Sequence, residues 1–213
     1  AAARTRAVLE NIGVTAGDPV LLGGSTWDGE EEVLLDLYRE ARKIHPRLML
    51  VLVPRHAERR DHVLAVIRER DFSVLQRSLY PDDSAPLTSR PDVLLVDTTG
   101  ELRGFYAAAD VVFVGKSLTQ TGGQNPIEPA RDGKAIVVGP HMENFPVISR
   151  DFLEAGAYVQ ARDAEDLQRH VLRLLGDPGE RARLGCAAAS LIDRKAGATR
   201  LMADRVLSAR SSA

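Results

Sequence analysis

This chain has almost no cysteine, little net charge and no long apolar run, and each shortage removes a class of protein. The lone Cys186 excludes an internal disulfide and a cysteine metal site, and it suits a reducing compartment. With 28 Lys and Arg against 30 Asp and Glu the formal net charge is −2, and no basic block stands out, so nucleic acid is not an expected partner. No stretch approaches the roughly 20 apolar residues that cross a bilayer, and no signal peptide is visible. The chain opens Ala-Ala-Ala-Arg without an initiator Met, so it reads as a piece of a longer protein whose membrane attachment stays open. Catalytic signatures are missing too. There is no Walker lysine loop, Gly-x-Gly-x-x-Gly turn, His-Glu-x-x-His pair or serine nucleophile elbow. No cluster of side chains suits a metal.

What is present is an alternation. Short runs rich in Val and Leu, expected as strands, lie at 20–22, 48–53, 74–75, 93–96, 111–114, 135–138 and 158–159. They hardly alternate in polarity, which marks parallel strands buried on both faces. Helical patterns fall between them at 30–44, 57–70, 102–109, 127–131 and 145–154, and residues 80–90 read as a loop. Three further helices follow at 164–175, 179–192 and 198–208, separated by Gly176-Asp177-Pro178 and Ala196-Gly197. The expected fold is α/β, a Rossmann-like doubly wound parallel sheet with helices on both faces and a helical C-terminal end. Residues 1–213 form one expected domain, with a lead-in over 1–17 and closing helices over 163–210. Hydrophobic content of 44% is enough for its core.

In such sheets ligands sit beyond the carboxyl ends of the strands, so the residues after each strand carry the functional signal. The first loop, Gly23 to Gly29, offers two glycines and the hydroxyls of Ser25 and Thr26, but Asp28, Glu30, Glu31 and Glu32 crowd the helix head behind it. Those acids complement the dipole and repel an anion. After the second strand come Pro54, Arg55 and His56; the Arg fork suits a phosphate or carboxylate, or pairs with Glu58. In Asp97-Thr98-Thr99-Gly100-Glu101, Glu101 serves either the first turn of a helix or a base or ribose. Lys116 follows the fifth strand and His141 the sixth, where His141 meets a phosphate or caps a helix.

The most informative stretch is Gly122-Gly123-Gln124-Asn125-Pro126-Ile127-Glu128-Pro129. One reading is a capping box with Asn125 as N-cap, Pro126 at the first helical position and Glu128 three residues after the cap. That leaves two glycines unexplained. The other reading has the amides of Gly122, Gly123, Gln124 and Asn125 facing a phosphate while Glu128 accepts from sugar hydroxyls, as in a nucleotide-sugar site.

Together these loops resemble, in order, the motifs of the C-terminal domain of the bacterial 3-deoxy-D-manno-octulosonic acid (Kdo) transferases. Gly24-Ser25-Thr26 with Gly29-Glu30-Glu31, Pro54 to Arg59, Asp97 to Leu102, Phe113-Val114-Gly115, Gly122 to Pro129, and Gly139-Pro140-His141 with Asn144-Phe145 carry the likeness over about residues 20–150. It implies one half of a GT-B glycosyltransferase, with CMP-Kdo as donor and neither cofactor nor metal. The acceptor would be a lipid A precursor at the cytoplasmic face of the bacterial inner membrane. By the same likeness Pro54, Arg55, Thr99, Gly100, Glu101, Asn125, Pro126, Ile127 and Glu128 contact CMP. The catalytic base belongs to an N-terminal acceptor domain, so no catalytic residue is assigned here. Two positions depart from the family pattern: Gln124 stands where His is usual, and Lys116 where Gly is usual. Competing expectations are the donor domain of a UDP-sugar glycosyltransferase or epimerase, and a non-catalytic α/β binding module. The latter needs an acidic cluster at the strand ends, where Asp97 stands alone.

Overall fold

The computed structural model describes residues 2–211, with side chains through residue 197. Seven strands, β1 Val20–Thr26, β2 Met49–Pro54, β3 Val74–Gln76, β4 Val93–Leu95, β5 Val111–Val114, β6 Ala135–Val138 and β7 Val159–Gln160, build one sheet. Its order is β3-β4-β2-β1-β5-β6-β7, and every neighbouring pair is parallel. The helices are α1 Ala2–Asn11, α2 Glu30–Arg42, α3 Arg60–Glu69, α4 Leu102–Ala108, α5 Ile127–Arg131, α6 Pro146–Glu154, α7 Ala164–Gly176 and α8 Pro178–Ser211. One face of the sheet packs against α1, α4, α5, α6 and α8, through Leu9, Phe105, Ala130, Phe152 and Leu191. The other packs against α2, α3 and α7, through Leu34, Val63 and Leu167. Burial on both faces is why the strands read as unbroken Val and Leu.

Three expectations change. First, β1 does not stop at Leu22. Gly23 and Gly24 continue it, paired with Leu52 and Val53 on one side and Phe113 and Val114 on the other. A Cβ at Gly23 would lie 2.6 Å from Leu34 Cδ1, and one at Gly24 would lie 3.1 Å from the Tyr106 ring. These glycines let helices press on the sheet, and they form no phosphate loop. Second, the lead-in contains α1, whose Val8 and Leu9 are buried; two apolar residues in an Ala-rich turn leave little periodic signal. Third, residues 198–208 are not a separate helix, since α8 runs unbroken through Ala196-Gly197. An interior Gly costs a helix about 1 kcal/mol and does not stop it when good formers flank it.

At the end of the sheet remote from the cleft, Asp18 ties the lead-in to the loops. It accepts from the Thr15 amide at 2.8 Å and from Arg47, and Arg90 lies 3.2 Å away. The Arg47 hydrogen bond, helped by Thr15 and Arg90 and opposed by burial, lowers its pKa from 3.8 to about 2. A depressed folded pKa stabilises above the unfolded value, and the stabilisation is lost as pH falls from about 4 towards 2. Asp18→Asn is expected to cost about 2 kcal/mol at pH 7 and nothing near pH 2, as read by urea unfolding at both pH values.

Candidate functional site

The strand order reverses between β1 and β5, and the crevice beyond their carboxyl ends is where such sheets bind ligands. Both segments take a left-handed turn there without glycine, at Ser25 (φ 54°) and Lys116 (φ 56°). Each such residue costs about 1–3 kcal/mol, so its surroundings must hold it. At Lys116 the hold comes from Glu30. Its carboxylate is fully buried and accepts from the amides of Trp27 (2.9 Å), Lys116 (2.9 Å), Ser117 (2.9 Å) and Leu118 (3.0 Å). Burial pushes this carboxyl up and the four amides pull it back, leaving a net upward shift. Glu31 also turns inward, accepting from Thr26 Oγ1 at 2.8 Å and from Arg59 at 2.8 and 3.1 Å. Two of the acids expected to cap a dipole therefore bolt the cleft loops to α2.

Two adjoining cavities form the groove. One, of about 140 Å³, is lined by Ser25, Pro54, Arg55, Asp97, Thr98, Thr99 and Gly100. The other, of about 230 Å³, is lined by Ser25, Arg55, Tyr106, Gln124, Asn125 and Glu128. They share Ser25, Arg55 and Leu102. Each is smaller than the ~300–1,000 Å³ typical of a small-molecule site, so a nucleotide needs both. Arg55 is exposed and, among the described residues, has no carboxylate partner, so the expected pairing with Glu58 is absent. Glu128 likewise keeps its carboxylate free of protein hydrogen bonds. The groove thus offers, among the described residues, an unpaired cation and an unpaired carboxylate lining one cavity.

Several expected contacts are engaged elsewhere. Gly122 donates its amide to the Glu143 carboxylate at 2.7 Å and Gly123 to the Lys116 carbonyl at 2.7 Å, so neither amide is left for a ligand's phosphate. Their glycines answer to shape: φ is 115° and 71°, and added Cβ atoms would lie 2.6 Å from Asn144 Nδ2 and 2.5 Å from Met142 Sδ. The amides of Gln124 and Asn125 have no protein acceptor among the described residues. Asn125 accepts the Ile127 amide at 3.0 Å, but α5 begins at Ile127 with Pro126 in the cap position and Glu128 returns no bond, so the expected capping box does not form. Pro126 is buried and Ile127 packs on the core, so both shape the turn.

Glu101 is taken by Thr98 and by Arg77 at 3.0 Å, because Arg77 is buried and needs counter-charge. Thr26 is spent on Glu31. His141 pairs with Glu143 at 3.0 Å, and that histidine bond lowers the Glu143 pKa. His56 packs edge-on against Trp27, 5.1 Å between centroids, and Lys116 Nζ sits 4.5 Å over the same indole. Asp97 accepts from the Ser78 amide and hydroxyl, at 2.8 and 2.6 Å, and is no exposed phosphoacceptor. Among the described residues no cluster of three metal-type ligands occurs, and no helix is long and apolar enough to cross a membrane.

One groove residue was missed by sequence reading. Tyr106, on α4 one turn after Leu102, is almost fully buried yet lines the cavity beside Glu128. In sequence it is one more aromatic on the core face of a helix; its polar tip was the available signal.

The sheet order, the switch-point groove and the helical C-terminal end define a Rossmann-like domain of the kind that makes one half of a GT-B fold. No family model matches the chain. It is 37% identical over 191 residues to a 3-deoxy-D-manno-octulosonic acid transferase of Bordetella pertussis, covering 88% of this chain and 44% of that protein. With the Haemophilus influenzae transferase it shares 34% over 189 residues, 87% of this chain and 43% of the relative. The crystal structure of the C-terminal CMP-Kdo binding domain of WaaA from Acinetobacter baumannii superposes with a TM-score of 0.79 at 29% identity, covering 89% of this chain and 97% of that one. The chain belongs to the 3-deoxy-D-manno-octulosonic acid transferase family, and it spans less than half the length of the curated relatives it matches.

Proposed function

We propose that this chain is the donor-binding half of a Kdo transferase and that the groove holds CMP-Kdo. The likeness to a CMP-Kdo binding domain, along nearly the whole of that domain, carries the reading. The groove's chemistry supports it. Arg55 suits the donor phosphate or carboxylate, as do the free amides of Gln124 and Asn125, and Glu128 suits ribose hydroxyls. Ser25, Pro54, Thr99 and Gly100 would complete the walls. In the whole enzyme an acceptor hydroxyl, on a lipid A precursor at the inner membrane's cytoplasmic face, attacks the anomeric carbon. The bond to the phosphate oxygen breaks, CMP leaves with the electron pair, and the proton passes to a base on the acceptor domain. The role of Arg55 is to stabilise charge that grows on the departing phosphate.

Calorimetry with CMP and UDP tests this. CMP should bind in preference to UDP, and Arg55→Ala should weaken CMP about 30-fold, the worth of a charge-assisted phosphate contact. A clear preference for UDP would move the chain to a UDP-sugar enzyme, and no nucleotide binding at all would remove the donor role.

A further inference from the structure

The chain has four tyrosines, and three of them use their hydroxyls within the protein. Tyr38 donates to the carbonyls of Leu48 and Asp92, Tyr80 to that of Ala85 at 2.8 Å, and Tyr158 shares a hydrogen bond with Ser149 at 2.5 Å. Tyr106 is the exception. It is 2% exposed, but among the described residues its hydroxyl has no partner. Buried tyrosine hydroxyls ordinarily find one. What little surface the residue keeps opens into the cavity it shares with Glu128 and Asn125. A Cβ placed on Gly24 would meet its Cε1 at 3.1 Å and its Oη at 3.2 Å, so the hydroxyl end of the ring lies against the β1 backbone at Gly24, next to the cavity that Ser25 and Tyr106 both line.

We propose that Tyr106 is a ligand-binding residue: with Glu128 it brackets one hydroxyl of the nucleotide's ribose, donating to that oxygen while Glu128 accepts its proton. The assignment rests on the nucleotide reading of the groove. The chemistry is complementary, because a carboxylate only accepts and a sugar hydroxyl both donates and accepts. Burial, and then the negative charge of Glu128, push the Tyr106 hydroxyl's pKa upward, so it stays protonated and able to donate. The pair would select a ribonucleotide over a nucleotide lacking that hydroxyl, as a site with a buried polar group rejects a ligand that leaves it unpaired.

Tyr106→Phe removes one atom that no protein group uses. Its melting temperature should match the parent, and it should bind CMP about 10-fold more weakly, the value of one good hydrogen bond. The loss should shrink to less than about 2-fold with either 2′-deoxy-CMP or 3′-deoxy-CMP, whichever lacks the bracketed hydroxyl. Unchanged CMP affinity in the variant overturns the assignment alone, and so does an equal loss with CMP and both deoxynucleotides. A fall in melting temperature of more than about 5 °C would show that the hydroxyl serves the fold, which also overturns it. If the parent chain binds no ribonucleotide, the donor reading fails and takes this assignment with it.

Discussion

Glu30→Gln is expected to destabilise this domain by about 3 kcal/mol, although it changes one oxygen to an amide nitrogen. Each carboxylate oxygen of Glu30 accepts two backbone amides, Ser117 and Leu118 on one side and Trp27 and Lys116 on the other. Whichever way the glutamine turns, its NH2 faces two N–H donors in a fully buried site. Two charge-assisted bonds are lost, each worth about 1.5–3 kcal/mol, and two buried donors are left unmet. Neutralising a buried charge returns part of that, since burial already pushes this carboxyl upward. Urea unfolding at pH 7 reads the net, and a loss below about 1 kcal/mol would show that the four amides are not held by charge. The same change should weaken CMP binding, because Lys116 through Leu118 lead directly into the segment that carries Gln124, Asn125 and Glu128.

Gly139→Ala is the second large effect, and its cause is backbone proximity. The added Cβ would lie 2.0 Å from the Ser117 carbonyl oxygen, 2.4 Å from its carbon and 2.6 Å from Leu118 Cα, against a floor of 3.0 Å for real Cβ contacts. Every obstructing atom is main chain, so no side-chain rotation gives relief. The loops after β5 and β6 would have to part, stretching the bonds from the His141 amide to the Ser117 carbonyl (2.9 Å) and from the Gly139 amide to Ser117 Oγ (2.8 Å). A loss of about 3 kcal/mol is expected, at the upper end for overpacking. Gly17→Ala, where nothing lies within 4 Å and φ is not positive, should be close to neutral. Paired thermal melts compare the two variants, and equal melting temperatures would contradict the steric account.

Both effects centre on α2 and the loops after β5 and β6, and they mark the boundary of what a sequence carries. Strand and helix positions were legible because burial on two faces leaves a local trace: 111–114 and 135–138 match β5 and β6 residue for residue. The periodic signal of α1 is thin, and Ala196-Gly197 does not break α8 because one interior Gly is a small cost in a long helix. At the site, the placing of Arg55 and Glu128 on one groove follows from their positions after strands, and both line the same cavity. The fate of polar groups is not legible in this way. Glu30, Glu31 and Glu32 are identical in sequence, and what singles out Glu30 is a set of amides 86 to 88 residues further along the chain. Gly122 and Gly123 read in sequence as phosphate donors, but Glu143 and the Lys116 carbonyl occupy their amides.

By itself, then, the sequence determined the α/β class, the crevice at the strand ends and the family, because hydrophobic period and motif spacing are local properties of a chain. Only the tertiary structure decided which donors and acceptors remain free for a ligand. A hydrogen bond is consumed by whatever group the fold brings within 3 Å, and for Glu30, Glu101, Gly122 and Tyr106 that group, or its absence, is set by segments distant in sequence or by neighbouring loops.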